Sequence, residues 1–163
     1  MCATLDAATL DDAAHGVAAP VRVAADGGTV VGDGVEAVDV ARFRRVLARR
    51  PGFAARFFTD TEQADARRSP DPSESLAARF AAKEAVMKAL GTGLGGFALT
   101  DVEVRRSVAV GPTRNAPSVV LSGAAATLAA ARGARQFHLS LTHTTEVAIA
   151  FVVAERHVPC SPS

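Results

Sequence analysis

A chain of 163 residues, 48% of them hydrophobic, is long enough for one domain with its own core, and a net charge of +1 gives no global sign of nucleic-acid binding. No apolar run is long enough to span a membrane, and the N-terminus lacks the basic start of a secretory signal. The cysteines, Cys2 and Cys160, sit at the two ends, which is no disulfide framework and suits a reducing cytoplasm.

Residues 1–28 are weakly patterned, with a candidate strand over 17–24 and a turn signal at Asp26-Gly27-Gly28. Residues 29–38 read as a strand interrupted by Gly32 and Gly34. A helix is expected over 39–50, with Asp39 as N-cap and Pro51 as its end. Val40, Phe43 and Leu47 form its apolar stripe, and Arg42, Val46 and Arg49 a second face, mixed basic and apolar. Phe53, Arg56 and Phe57 follow in a second short helical piece. Before Asp39 the only arginine or lysine is Arg22, whereas residues 39–68 are rich in arginine. Such a segment suits an anionic partner, and an acidic amphipathic helix fits a face that alternates arginine with apolar groups.

Phe58-Thr59-Asp60-Thr61-Glu62 reads as a capping box, with Thr59 as N-cap and Glu62 at N3, and is given a structural role. After a loop over 67–75, Ser73 or Ser75 is the expected cap of a long central helix. Beyond it, residues 100–107 and 117–121 read as a hairpin joined through Gly111-Pro112. A helix starting at Ser122-Gly123-Ala124 ends at Gly133, and residues 136–142 and 146–154 read as an antiparallel pair. The sum is an α+β domain: a long central helix packed on a small, mostly antiparallel sheet.

The central helix carries the chemistry. Arg79-Phe80-Ala81-Ala82-Lys83-Glu84-Ala85-Val86-Met87-Lys88-Ala89-Leu90 is built of strong helix formers and runs out into Gly91-Thr92-Gly93. Leu76, Phe80, Met87 and Leu90 share an apolar arc that contains Lys83, and a lysine there costs stability unless something anionic meets it. Glu84 and Lys88 are four apart and able to touch. As a pair alone they read as a surface ion pair. Two lysines and a glutamate followed at once by a Gly-Thr-Gly turn also suit a phosphate and a metal, because glycine lets backbone N–H groups approach and glutamate is a hard oxygen ligand.

This stretch resembles the R-F-A-A-K-E-A-x-x-K-A-x-G-T-G signature of holo-acyl-carrier-protein synthases, the small 4′-phosphopantetheinyl transferases. Phe58–Glu62 resembles the family's F-T-x-x-E, and Ser140-Leu141-Thr142-His143-Thr144 its S-x-[ST]-H-[ST]. The resemblance covers about residues 30–156. It implies the 4′-phosphopantetheinyl transferase-like fold over 29–157, with residues 1–28 as an extension and 158–163 as a tail. It implies transfer of phosphopantetheine from coenzyme A to a carrier-protein serine. By the same resemblance Glu84 and Glu36 hold Mg2+, and Lys88 contacts the pyrophosphate. Lys83, Gly91, Thr92 and Gly93 line the coenzyme site, and Arg79, His143 and Thr144 are further coenzyme contacts. Arg42, Val46, Arg49 and Phe53 grip the acyl carrier protein. A cytoplasmic homotrimer is implied, with sites between subunits and with no nucleic-acid or membrane partner.

Two positions depart from the family, Glu36 and Asp33, the latter in place of an apolar residue. Glu36 stands where its opening strand has an aspartate ligand, and Asp33 falls on the opposite face of the strand. The longer side chain overshoots unless the strand sits further back, which its two glycines would permit, or a water intervenes, or the site is weak. The alternative is a scaffold that has lost the transfer reaction and binds carrier protein or a related ligand, or performs other chemistry in a biosynthetic pathway.

Overall fold

The computed structural model describes residues 29–93, 95–106 and 116–156. The extension over 1–28, the Gly111-Pro112 connection and the tail over 158–163 lie outside these residues.

Strand β1 (Val30–Asp39) leads into helix α1 (Val40–Arg49), and the short helices α2 (Phe53–Phe57) and α3 (Asp60–Arg67) follow. The long helix α4 (Pro72–Ala89) comes next, then a 3-10 turn at Leu99–Asp101 and strands β2 (Val102–Arg106) and β3 (Pro117–Leu121). Helix α5 (Gly123–Ala131) and strands β4 (Gln136–His143) and β5 (Val147–Glu155) complete the described chain. Strands β1, β5 and β4 form an antiparallel sheet in that order, and β2 pairs with β3.

Local signals start the helices where they were expected, with one exception. Asp39 caps α1 by accepting from the Arg42 N–H, and Thr59 and Glu62 complete the capping box of α3. Helix α4 is capped by Asp71, whose carboxylate accepts from the N–H groups of Ser73 and Glu74, and not by Ser73 or Ser75. Pro72 stands at N1, where a missing N–H costs nothing, so Asp71-Pro72 is the start signal.

Helix α4 is the core. Ala77, Ala81, Ala82, Ala85 and Ala89 are all buried along it, and these short side chains let neighbours close around most of its circumference. The sheet packs on it through alternate residues of β5: Ala148, Ala150, Val152 and Ala154 are buried, while Ile149 and Phe151 point outward. On β1 the glycines set the distance to the helix. A Cβ on Gly32 would lie 2.2 Å from the Ala89 carbonyl oxygen, and one on Gly34 2.0 Å from that of Ala85. The glycines therefore press the strand onto the helix backbone; they do not hold it back. On the other flank Phe43, Phe53, Phe57, Phe58 and Phe80 stack edge-on and tilted, seating α1 and α2 against α4.

Candidate active site

The close contact of β1 and α4 brings Glu36 to Glu84 and Lys88. Glu36 faces the helix because it shares a strand face with Gly34, and Asp33 is exposed on the other face. Lys88 Nζ lies 2.8 Å from Glu36 Oε2 and donates to the Val35 carbonyl at 2.7 Å. The ion pair of this site is therefore Lys88–Glu36, between helix and strand, in place of the Glu84–Lys88 pair along the helix that the spacing suggested.

The two carboxyls lie close enough to perturb each other's ionisation. Burial pushes the Glu84 carboxyl up to about 7, the neighbouring Glu36 carboxylate pushes the same way, and Lys88 opposes them. Burial also acts to raise Glu36, but its interactions with Lys88, the Ala37 N–H and Glu84 outweigh that and hold it below the usual carboxylate range. With Lys88 paired to Glu36, it is Glu84 that keeps its proton toward neutrality. That is the electrostatic state a divalent cation relieves. Among the described residues no group of three or more His, Cys, Asp or Glu side chains gathers at a metal-binding spacing. Two carboxylates still fit magnesium, which commonly takes one or two from the protein and fills its octahedron with substrate phosphate oxygens and water.

Glu84 stands where two recesses meet. On one side it lines a cavity of about 180 Å³ with Met87, Lys88, Thr92 and Gly93. On the other it lines a groove of about 470 Å³ with Glu36, Arg42, Val46, Phe53 and Phe80. The structure thus joins the acid pair to three of the four residues assigned to carrier protein; Arg49 is exposed on the same helix but does not line the groove. Phe53 is half-buried because it also belongs to the aromatic stack. Phe80, read from sequence only as a core residue, supplies a wall of this groove.

Several expected coenzyme contacts fall elsewhere. Lys83 lines none of these recesses among the described residues: it is fully buried, with its ammonium on Glu62 and two backbone carbonyls, where the sequence reading expected a coenzyme contact. Gly91 stops the helix. It adopts φ 58°, its N–H donates to the Lys88 carbonyl and that of Thr92 to the Met87 carbonyl, so these two amides are spent on the helix end and do not cradle a phosphate. Thr144 Oγ1 accepts from the N–H groups of Glu146 and Val147 and so shapes the β4–β5 turn.

Arg79 and His143 line a third recess, of about 340 Å³, with Glu74, Ser75 and Arg106. Arg79 is 4% exposed; its guanidinium donates to the Ser75 carbonyl and hydroxyl, and its Nε is buried without a hydrogen-bond partner among the described residues. His143 contacts the Glu74 carboxylate. Arg106 was missed by the sequence reading. Its signal was parity: it follows Val102 and Val104 on the inward side of β2, where a third apolar residue was due.

A family model described as the 4′-phosphopantetheinyl transferase superfamily matches residues 34–152. A holo-[acyl-carrier-protein] synthase of Clavibacter sepedonicus is 50% identical over 124 residues, which is 76% of this chain and 94% of that protein. The crystal structure of the synthase from Neisseria meningitidis superposes with a TM-score of 0.68 at 30% identity, covering 78% of this chain and 99% of that one. That of the Bacillus anthracis synthase in complex with CoA (3′,5′-ADP) gives 0.63 at 31%, covering 80% of this chain and all of the other. The chain belongs to the 4′-phosphopantetheinyl transferase superfamily, in its holo-[acyl-carrier-protein] synthase branch.

Proposed function

We propose that Glu36, Glu84 and Lys88 form the catalytic centre for transfer of 4′-phosphopantetheine from coenzyme A to a serine of an acyl carrier protein. One observation carries the assignment of sites: Glu84 is shared by the recess that Lys88, Thr92 and Gly93 line and by the groove that Arg42, Val46 and Phe53 line. Coenzyme A and carrier protein would therefore meet at one carboxylate. The chemistry is in-line displacement at phosphorus. The serine oxygen forms a new P–O bond, the bond to adenosine 3′,5′-bisphosphate breaks, and the serine proton passes to a water molecule or a carboxylate at the site.

Glu36 and Glu84 are the residues that would hold Mg2+, which when bound neutralises the pyrophosphate. Lys88 is half exposed and already bridges strand and helix, so it reaches the same oxygens as a fixed cation. Thr92 and Gly93 shape the recess for the phosphates. Arg42 and Arg49 attract the acidic surface of the carrier protein, and Val46 and Phe53 supply apolar contact.

The nucleotide end of coenzyme A is assigned to Arg79, Arg106 and His143, where the Arg79 Nε, unpartnered among the described residues, favours an anion. Among the described residues this recess and the Glu84 recess share no lining residue, which supports a homotrimer in which neighbouring subunits complete each other's coenzyme site. The outer sheet face supports it too, because Val35 is 54%, Phe151 45% and Ile149 37% exposed. We assign the catalytic domain to 29–157 and the reaction to the cytoplasm. Among the described residues no helix is long and apolar enough to cross a membrane.

The test is mass spectrometry of apo acyl carrier protein incubated with coenzyme A, magnesium and this protein. The expected result is a serine carrying phosphopantetheine, with adenosine 3′,5′-bisphosphate released. An unmodified carrier protein, with a known synthase active in parallel, would overturn the reading.

A further inference from the structure

The most polar contact in the core lines none of the three recesses described above. Lys83 and Glu62 are both fully buried and pair at 2.7 Å. The Lys83 ammonium also donates to the carbonyls of Leu99, at 2.9 Å, and Val102, at 2.5 Å. Its three hydrogens are thereby all used. Glu62 is as fully engaged: Oε2 also accepts from the Thr59 N–H and Oε1 from the Val104 N–H, both at 2.9 Å. The Phe58 ring lies 5.4 Å beneath the ammonium.

Burying such a pair is not a cheap way to gain stability, since well-packed apolar side chains often do as well or better. Its position in the chain is more telling. The backbone leaves α4 at Leu90, forms the loop that contains Thr92 and Gly93, and returns at Leu99 and Val102 to α4 at Lys83. One end of that loop is fixed by the hydrogen-bonded helix stop at Gly91 and the other by the Lys83 ammonium. Lys83 also directly precedes Glu84 on the helix.

We infer that Lys83, held by Glu62, is a positioning residue for the coenzyme site: from inside the core it fixes the segment following the Thr92–Gly93 loop against the turn of α4 that presents Glu84. Lys83 touches no substrate. It acts through the loop, so its loss is felt in coenzyme binding and not in carrier-protein binding. The inference rests on Thr92 and Gly93 lining the coenzyme recess.

Two variants separate positioning from stability. Glu62→Gln cannot satisfy the Thr59 and Val104 N–H groups together, so it lowers the melting temperature, but it leaves Lys83 on both carbonyls. Glu62→Gln/Lys83→Met removes the clamp without stranding a buried carboxylate. Coenzyme A affinity is measured by calorimetry with magnesium present, and KM for coenzyme A and for apo carrier protein by transfer assay. We expect the double variant to lose about tenfold to a hundredfold in coenzyme A affinity, the scale of a lost supporting contact, with KM for carrier protein unchanged. Glu62→Gln keeps the parent's affinity despite its lower melting point. Lys83→Arg keeps the charge opposite Glu62 but spreads its donors in a plane; it shows the same selective loss and decides the matter if the double variant does not fold. Affinity that falls in step with melting temperature in all variants, or is equal to the parent's in the variants lacking Lys83, overturns the inference. An unaltered protein that does not bind coenzyme A overturns the reading of the site itself and this role with it.

Discussion

Lys88 Nζ sits 2.8 Å from Glu36 Oε2, so the cation of the helix is tied to the strand carboxylate and not to Glu84 one turn before it. On the proposed reading Lys88 has two tasks, to hold Glu36 ionised beside Glu84 and to face the pyrophosphate. Lys88→Ala should lower kcat by about a hundredfold or more, as loss of a transition-state contact does, and raise KM for coenzyme A. An unchanged kcat would show that the half-exposed ammonium is not at the reaction.

The raised Glu84 carboxyl makes the metal-free site pH-dependent. Glu84 is raised from an ordinary 4.5 to about 7, first by burial and then by Glu36. Between these values the unfolded chain has lost the proton and the folded one keeps it, so stability falls as pH rises through this window. The effect is on the order of 1 kcal/mol once solvent screening is allowed for. Melting temperatures from pH 4.5 to 8 should show the decline in the parent without metal and a flatter profile in Glu84→Gln. Magnesium must displace the proton, so its affinity should rise with pH across the same interval. Equal pH profiles for parent and variant would refute the raised Glu84 carboxyl.

Gly34 is where fold and site meet. A Cβ there would lie 2.0 Å from the Ala85 carbonyl oxygen, and a backbone atom cannot give way as a side-chain tip does. Gly34→Ala should destabilise by on the order of 2–3 kcal/mol through overpacking. It should also push Glu36 away from Glu84, so magnesium affinity drops even in the folded fraction. Denaturant titration with a parallel metal titration checks both; native affinity in a folded Gly34→Ala protein would show that β1 does not set the acid pair.

Arg42→Glu reverses an exposed charge at the rim of the groove. Carrier-protein binding should weaken about tenfold, on the order of 1.4 kcal/mol, less at high salt, with coenzyme A affinity unchanged. Equal loss of both affinities would remove the separation between the two recesses.

The outer face of Val35, Ile149 and Phe151 gives the assembly prediction. Sedimentation should find a trimer, and Phe151→Glu should give monomers that turn over slowly if, as proposed, neighbouring subunits complete each coenzyme site. A parent that sediments as a monomer would count against the shared site.

Much of this was legible from local signals. Asp39, the Thr59–Glu62 capping box and Gly91 act within one turn of chain, and short-range rules found them. The helix arc also showed that Lys83 needed an anion. It could not show that the anion was Glu62, because the capping box had already explained that residue and the second contact is made through tertiary packing. Lys88–Glu36 was hidden for a similar reason: it depends on how deeply Gly32 and Gly34 let β1 settle on α4. The separation of Arg79 and His143 from Glu84 is likewise a property of packing, which no motif spacing records.

The most direct test is calorimetric titration of magnesium into the protein with coenzyme A present, for the parent and for Glu84→Ala. If Glu36 and Glu84 together hold the metal, the parent binds magnesium with release of a proton near neutrality and Glu84→Ala shows no saturable binding. A Glu84→Ala protein that titrates like the parent would contradict the two-carboxylate site and the transfer chemistry assigned to it.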